Sequence, residues 1–151
     1  MLNTVVGTLF SKATIIDYPT IHHLNALIFP DDAPPHVHTA QWELGHEAGE
    51  AVAFCGWKPL HIDEEVVGFH YRAGVLRKNR GQGLQGMMLV LREHAMREAG
   101  LKAAVTYTEP NGAPSMRSLI SNGYRPYIAT EGNKLAPADR WRRMVHWRKD
   151  L

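Results

Sequence analysis

Residues 81–86 read GQGLQG, a complete G-x-G-x-x-G motif, and the position of this motif limits the folds available to the chain. A dinucleotide-binding domain normally begins with this fingerprint, and an acidic residue follows about twenty positions later. Glu109 matches that acid. However, eighty residues come before the motif, and the remainder after Gly86 is too short for about six parallel strands. We therefore do not expect a nicotinamide or flavin enzyme.

A phosphate ligand of another kind fits the same stretch. Glycines let the backbone approach a ligand closely, and the N–H groups at the start of a helix favour anions. Three cationic residues, Arg77, Lys78 and Arg80, precede the first glycine. The segment Arg80–Leu84 is therefore predicted to hold a pyrophosphate. The alternative is an ordinary glycine-rich turn with basic surface residues.

Hydrophobic periodicity predicts an α/β fold around this segment. Helical spacing covers Tyr18–Phe29 and Leu84–Ala99, a third helix is expected over Pro114–Asn122, and another helix could lie in residues 31–40. The strand-like stretches are Thr4–Phe10, Gln41–Leu44, Ala51–Trp57, Val66–Leu76, Leu101–Thr108, Tyr124–Ile128 and Arg142–Trp147. Short connections between the middle strands favour a mixed, largely antiparallel sheet. The length of 151 residues predicts a single domain over 1–151.

Composition and short motifs limit the expected cellular location of the protein and its expected metal sites. Cys55 is the only cysteine, so no internal disulfide is possible, and its apolar neighbours favour a buried strand thiol over a nucleophile. No apolar run is long enough to cross a membrane, and the N-terminal residues lack a signal-peptide pattern. We therefore expect a cytoplasmic protein with no membrane partner. His36 and His38 lack an identifiable third ligand, so no metal site is predicted.

Charge is distributed unevenly along the chain. Residues 1–75 carry three Lys or Arg and nine Asp or Glu, whereas the rest carries fourteen and six. The basic part suits an anionic ligand and the acidic part a cationic one; solvated surface is the alternative for both. Asp31 and Asp32 could hold a cationic amine or be ordinary loop acids. Nucleic-acid binding is not favoured, since the first dense basic and aromatic run, residues 141–143, lies in a predicted strand.

Two blocks of the chain resemble the GCN5-related N-acetyltransferase (GNAT) family. Residues 75–84, VLRKNRGQGL, resemble its acetyl-CoA-binding motif, in which Arg-Gly-x-Gly follows an apolar strand and precedes a helix. Residues 111–115 (NGAPS) and 119–124 (LISNGY) resemble the segment after its fifth strand, and residues 144–151 resemble its last strand. The resemblance implies an α/β fold with a central sheet of six to seven strands flanked by helices. It also implies that the fourth and fifth strands splay apart.

The resemblance further implies that acetyl-CoA (CoA) is the cofactor and that its pantetheine arm binds between the splayed strands. Main-chain groups at Val75 and Leu76 would pair with this arm, and a backbone N–H near Val75 would polarise the thioester carbonyl. The other implied cofactor-binding residues are Arg80, Gly81, Gln82, Gly83, Leu84, Gln85 and Asn111. Gln85 is a departure, because the family often has glycine or alanine at that position.

In this family a primary amine attacks the thioester directly, so a base must remove its proton. The family often has a glutamate four residues before the Val75 position, where this chain has Tyr71. His70 lies beside it, but strand alternation turns it to the opposite face, where a packed or surface histidine is the simpler interpretation. Glu109, at the end of the predicted fifth strand, is the best carboxylate candidate for the base, and a solvated loop acid is its alternative.

The departing thiolate needs a proton donor, and many family members use a tyrosine in the helix after the fifth strand. Leu119 or Ser118 stands there instead. Ser115 could donate this proton or could cap its helix. The sequence thus predicts an acetyl-CoA-dependent N-acetyltransferase acting on a primary amine of a small molecule, peptide or protein, with a cationic acceptor favoured by the acidic part. A catalytically weak or silent acyl-CoA-binding module is the alternative, and homodimerisation, common in the family, is left open.

Overall fold

The computed structural model describes residues 3–5, 7–136 and 139–151. Within these residues the chain forms eight strands and three α-helices, and the strands lie in one sheet in the order β1-β2-β3-β4-β5-β6-β8-β7. The mixed, largely antiparallel α/β fold is therefore confirmed. The sheet has one strand more than expected because the run Thr4–Phe10 is two short antiparallel strands, β1 (Asn3–Val5) and β2 (Thr8–Lys12). Val6, within that run, lies outside the described residues.

The chain divides into two compact units, which are described separately. The first consists of Met1–Lys58 and Tyr71–Met88, and the second consists of Pro59–His70 and Leu89–Leu151. Strands β4 and β5 and helix α2 each continue from one unit into the other along the chain. The single domain over residues 1–151 stays a prediction.

The first unit contains most of the antiparallel strands. Its elements are β1, β2, α1 (Tyr18–Ile28), β3 (Gln41–Glu47), most of β4 (Glu50–Ile62), the end of β5 (Glu65–Val75) and the start of α2 (Leu84–Glu98). The short connection predicted between β3 and β4 is confirmed: the two strands form a hairpin, and Ala48 and Gly49 turn the chain with φ angles of 50° and 81°. The predicted end of β4 at Lys58-Pro59 is wrong, because Pro59 removes one donor from the ladder without ending the strand. Residues 31–40 hold only a 3₁₀ turn, Val37–Thr39.

The core of the first unit joins one face of α1 to the inner face of the hairpin. Its fully buried apolar members are Ile21, Leu24, Val37, Trp42, Leu44 and Phe54. The indole N–H of Trp42 donates to the Val37 carbonyl at 2.9 Å, so its polar atom is satisfied inside the core. Cys55 and Trp57 are also buried, which confirms that this stretch of β4 is core.

The second unit contains β6 (Ala103–Thr108), α3 (Ala113–Ser121), β7 (Arg125–Tyr127) and β8 (Val145–Asp150), together with parts of β4, β5 and α2. Strands β6 and β8 pair antiparallel along their whole length. The predicted strand Arg142–Trp147 begins too early, because Arg140–Arg143 form a 3₁₀ turn that buries Trp141. At Gly68 a β-carbon would meet the side chain of Met96, so helix α2 approaches the backbone of β5 closely there.

The family's fourth and fifth strands correspond to β5 and β6, because the first predicted strand is divided in two. They form the parallel pair of the sheet. In the described part of the chain this pairing is short, with Gly68 opposite Ala104 and Phe69 opposite Val105. Such brief pairing agrees with the expected divergence of these strands. Among the described residues no helix has both the length and the apolar character to span a membrane.

Candidate functional site

The glycine loop, residues 76–83, connects β5 to α2 in the first unit. Two buried apolar side chains hold its ends: Val75 closes β5, and Leu84 opens α2. The N–H of Leu76 donates to the Val52 carbonyl at 2.8 Å, which fixes the start of the loop against β4. A short 3₁₀ turn, Arg77–Asn79, then leads to the glycines. The loop is thus anchored by packing on both sides.

Gly81 and Gly83 give the loop its shape. Their φ angles are 80° and 77°, in the left-handed region where other residues are strained. A β-carbon built on either residue meets nothing within 4 Å, so the space above the backbone is open to a ligand. The first helical bond runs from the Met87 N–H to the Gly83 carbonyl at 3.2 Å. The preceding N–H groups of Leu84 and Gln85 therefore lie in the first turn, where no carbonyl of the helix accepts from them. This arrangement favours an anion.

The three cationic residues that precede the glycines differ in the contacts of their side chains. The Nε of Arg80 donates to the Val75 carbonyl at 3.2 Å and ties this side chain to the end of β5. Lys78 forms an ion pair with Glu50 at 2.9 Å, and both side chains are more than half exposed. Because exposed pairs are worth about 0–1 kcal/mol, Lys78 is only weakly held. Arg77 is exposed.

A cavity of about 340 Å³ lies between the β3–β4 turn and the glycine loop, and we call it the hairpin cavity. Its lining residues are Glu47, Ala48, Glu50, Lys78, Asn79 and Gln82. Only Gln82 of these belongs to the predicted cofactor-binding set. Sequence reasoning missed this cavity, because the turn and the loop are about thirty residues apart and carry no shared motif.

Tyr71 also lies in the first unit, on β5. Its hydroxyl accepts a hydrogen bond from the backbone N–H of His36 at 3.0 Å. Its ring lies 5.8 Å from that of Trp42, and the Lys58 ammonium lies 4.3 Å from the ring centroid. These contacts hold the tyrosine in one orientation and place a cation on its ring face.

The remaining predicted site residues belong to the second unit and lie in the connection from β6 to α3 and at the start of α3. Glu109 is exposed and forms an ion pair with Arg140 at 3.3 Å. Asn111 and Ser115 are exposed as well. The interpretation of Ser115 as a helix cap is wrong, because Gly112 occupies the N-cap position and Ser115 lies inside α3. Glu109 and Asn111 thus lie in the connection from β6 to α3 and Ser115 in the first turn of α3, whereas Tyr71 and residues 75–85 belong to the first unit.

Leu119 and Ser118 are the two candidates for the position at which the resemblance implies a tyrosine. The Leu119 side chain is 5% exposed and packs in the interior of the second unit. The adjacent Ser118 uses its backbone carbonyl to accept from the Asn122 side chain at 2.7 Å. An apolar, buried side chain cannot donate a proton, so Leu119 cannot act as a general acid.

His70 belongs to a buried chain of hydrogen bonds in the second unit, which we call the His70 network (His70, Glu93, Tyr124 and Lys149). The Nε2 of His70 lies 2.5 Å from the Tyr124 hydroxyl, and this hydroxyl donates to Glu93 at 2.9 Å. The Lys149 ammonium donates to the other Glu93 oxygen at 2.8 Å. Because Tyr124 gives its only proton to Glu93, it accepts from His70, which places the imidazole proton on Nε2.

Burial sets the ionisation of this network. It lowers the pKa of His70 well below its ordinary value of 6.5, and the positive charges of Arg92 and Lys149 lower it further. Burial also raises the pKa of Tyr124, and the neighbouring Glu93 carboxylate adds to this shift. His70 is therefore neutral near pH 7, and the interpretation of a packed histidine is confirmed. Sequence reasoning did not predict its partners, because Tyr124 and Glu93 lie on other elements.

Among the described residues, no three His, Cys, Asp or Glu side chains lie close enough together to hold a metal ion. His36 and His38 are both exposed, and the His38 ring contacts Tyr18 edge-on at 5.1 Å.

Comparison with known proteins identifies the fold. No protein-family model and no curated protein matches the chain. Solved structures do match: Arabidopsis thaliana Naa50 in complex with the bisubstrate analogue CoA-Ac-MVNAL has 12% identity and a TM-score of 0.77 over 97% of this chain and 100% of its own. A GNAT family acetyltransferase from Elizabethkingia anophelis with acetyl-CoA bound has 14% identity and a TM-score of 0.73, covering 97% and 99%.

The ribosomal-protein-S18-alanine N-acetyltransferase from Escherichia coli is similar at 12% identity and a TM-score of 0.71, covering 95% of this chain and 94% of its own. These identities are low, but the similar region spans nearly the full length of both chains in each case. The elements before and after the glycine loop therefore follow the order of these acetyltransferases, and the chain has the fold of the GCN5-related N-acetyltransferases.

Proposed function

We propose that this protein is an acetyl-CoA-dependent N-acetyltransferase that transfers the acetyl group directly to a primary amine of a small molecule, peptide or protein. The observation that carries the proposal is the open, left-handed glycine loop at the start of α2, in a chain with the GNAT fold. Two of the similar structures contain acetyl-CoA or a CoA-based analogue, which supports the choice of cofactor.

The loop residues fit the pyrophosphate of CoA. Gly81 and Gly83 leave room for close approach, the first N–H groups of α2 donate to phosphate oxygens, and Arg80 supplies a charged donor held at the end of β5. When bound, acetyl-CoA supplies an activated acetyl thioester. The N–H of Leu76 is already occupied by the Val52 carbonyl, so Val75 is the better candidate for polarising the thioester carbonyl. Such a contact is typically worth about 3–4 kcal/mol.

The acid–base roles are proposed for residues that the structure leaves exposed or holds in place. Glu109 would accept the proton of the attacking amine, directly or through water, and Arg140 would keep its carboxylate oriented. Ser115 would donate a proton to the departing thiolate, because it is exposed on α3 and is not used as a cap. Tyr71, whose hydroxyl is held by the His36 N–H, would position the acceptor.

A thiol-release assay with acetyl-CoA and a panel of primary amines tests this proposal. We expect CoA release that depends on the amine, and Arg80→Gln should raise the KM for acetyl-CoA about tenfold by removing a charge-assisted contact. Arg125→Gln, which removes an exposed arginine from β7, is the matched control and should leave that KM unchanged. Equal effects of the two substitutions would contradict the assignment of the loop.

Buried Leu119 gives a specific reason to keep a second candidate, an acyl-CoA-binding module that does not turn over. In such a module the glycine loop would hold acyl-CoA, and no general acid would be needed. Tight binding of CoA without thiol release for any amine in the panel would favour the module over the enzyme.

A further inference from the structure

We propose that the hairpin cavity binds a primary ammonium group. This proposal does not rest on acetyl transfer, because the cavity is defined by side chains of the β3–β4 turn and the glycine loop alone. It rests on three features of the lining: buried acceptors without partners, a net negative charge, and enough room for a small organic cation.

The first feature is the buried amide of Asn79, which is 5% exposed. Its Nδ2 donates to the Glu47 carboxylate. A carboxylate only accepts hydrogen bonds, so this contact fixes the orientation of the amide and identifies the other atom as the carbonyl oxygen. That oxygen, Oδ1, is buried and has no hydrogen-bond partner among the described residues. A group that completes this site must therefore bring a donor.

Gln82, three positions further along the glycine loop, repeats the pattern. Its Oε1 is buried and also has no partner in the described part of the chain. Two unpartnered acceptors of the glycine loop, Asn79 and Gln82, thus line one cavity. Together with the Glu47 carboxylate they offer three acceptor positions, and a primary ammonium has three N–H donors.

Charge selects a singly charged cation. Glu47 and Glu50 bring two negative charges to the lining, and Lys78 neutralises Glu50 through contacts at 2.9 and 3.2 Å. The remaining charge is that of Glu47. A divalent metal ion is a poorer fit, because such ions take about six to eight oxygen ligands and the Lys78 ammonium would repel them. An organic ammonium matches both the charge and the donors.

The volume of about 340 Å³ is at the lower end for small-molecule sites. It admits an ammonium group with a short alkyl chain, such as a small amine or a lysine-like side chain. Glu50 and Lys78 are more than half exposed, so the cavity opens to solvent beside them. A ligand can therefore enter without rearrangement of the core.

A titration followed by ¹H–¹⁵N NMR of the side-chain amides tests the proposal with n-butylammonium chloride as the probe. Tetramethylammonium chloride, which has the same charge but no N–H, is the control at equal ionic strength. We expect saturable shifts of the Asn79 and Gln82 amide signals with n-butylammonium, and at least tenfold weaker binding of tetramethylammonium. Equal responses to both cations, or shifts that do not saturate, would overturn the proposal.

Two variants locate the site. Glu47→Gln should weaken n-butylammonium binding at least tenfold when the Gln82 signal is followed, whereas Glu64→Gln, an exposed acid outside the cavity lining, should not. Gln82→Met removes an acceptor without touching the bond between Glu47 and Asn79, and it should weaken binding at least threefold. Wild-type affinity in both variants would overturn the site. No acyl donor is present, so the result is independent of any failure in the thiol-release assay.

Discussion

The hairpin cavity and the His70 network both gather polar side chains away from solvent, but they differ in how those groups are satisfied. In the network, Tyr124 donates to Glu93 and accepts from His70, and only Nδ1 of the histidine lacks a partner in the described residues. In the cavity, the carbonyl oxygens of Asn79 and Gln82 both lack one. The network satisfies most of its polar groups internally and leaves one acceptor unpaired, which suits a structural role, whereas the cavity leaves two acceptors unpaired in one space, which suits a ligand that brings donors.

This difference leads to opposite expectations for substitution. Removing a member of the network leaves a buried group unpaired and should lower the free energy of unfolding. Removing an acceptor from the cavity eliminates an unpaired group and should change binding more than stability.

Glu93→Gln should be the most destabilising change. Glu93 is 2% exposed and accepts from both Tyr124 and Lys149, so the substitution leaves the ammonium without its buried counter-charge. Loss of one partner of a buried pair typically costs about 3–5 kcal/mol. Chemical denaturation measures the loss. Glu98→Gln, on the same helix but exposed, is the matched control and should cost less than about 0.5 kcal/mol. Equal losses in the free energy of unfolding for Glu93→Gln and Glu98→Gln would contradict a stabilising role of the network.

Tyr124→Phe should have the next largest effect. The ring still fills its buried position, but His70 loses its acceptor and Glu93 loses a donor. We expect a loss of about 1–3 kcal/mol in the free energy of unfolding, measured by the same denaturation. Tyr18→Phe, which removes a hydroxyl from the half-buried first residue of α1, is the comparison. A smaller loss for Tyr124→Phe than for Tyr18→Phe would contradict the hydrogen-bonded chain.

The free energy of unfolding should depend on pH because of His70. Its pKa is well below 6.5 in the folded protein, so below pH 6.5 the unfolded state binds a proton that the folded state does not. Stability from this group is present above pH 6.5 and decreases as the pH falls, by up to about 1.4 kcal/mol per pH unit. His146, whose pKa is also lowered by burial, adds to the same slope.

Thermal unfolding between pH 7 and pH 5 measures this slope. His70→Gln keeps a donor toward Tyr124 and should reduce the slope, whereas His22→Gln, an exposed residue of α1, should leave it unchanged. An identical slope in wild type and His70→Gln would exclude this histidine as a source of the pH dependence.

Gln82→Met should have the smallest effect on stability. The substitution replaces an unpartnered acceptor with an apolar group of similar length, so the free energy of unfolding should stay within about 0.5 kcal/mol of wild type. Chemical denaturation measures this free energy, and Gln85→Met, at an exposed position of α2, is the matched control. A loss of more than about 1 kcal/mol would mean that Gln82 makes a structural contact, and the contrast with the network would fail.

Much of the fold follows from local patterns in the sequence. Helix α2 and the β3–β4 hairpin could be predicted because apolar periodicity and short connections act over a few positions. The division of the first strand was missed, because residues 4–10 look like one apolar run and conceal the turn at Gly7. The start of β8 was missed because the burial of Trp141 favours a 3₁₀ turn there.

The candidate site could be predicted only where one segment defines it. The glycine loop carries its own conformational signal in Gly81 and Gly83, and the structure shows the left-handed backbone that this signal requires. The hairpin cavity depends on a contact between Asn79 and Glu47, which are 32 positions apart. The network joins His70 to Tyr124 across 54 positions. Single-sequence patterns contain no record of which distant polar groups meet, so these features required the structure.

Calorimetric titration of the protein with CoA, acetyl-CoA, NAD and FAD tests the central claim most directly, because the claim is that the glycine loop is a CoA pyrophosphate site rather than a dinucleotide site. We predict saturable binding of CoA and acetyl-CoA, about tenfold weaker binding of both in Arg80→Gln, and no measurable binding of NAD or FAD. Binding of NAD or FAD without binding of either CoA species would contradict the account.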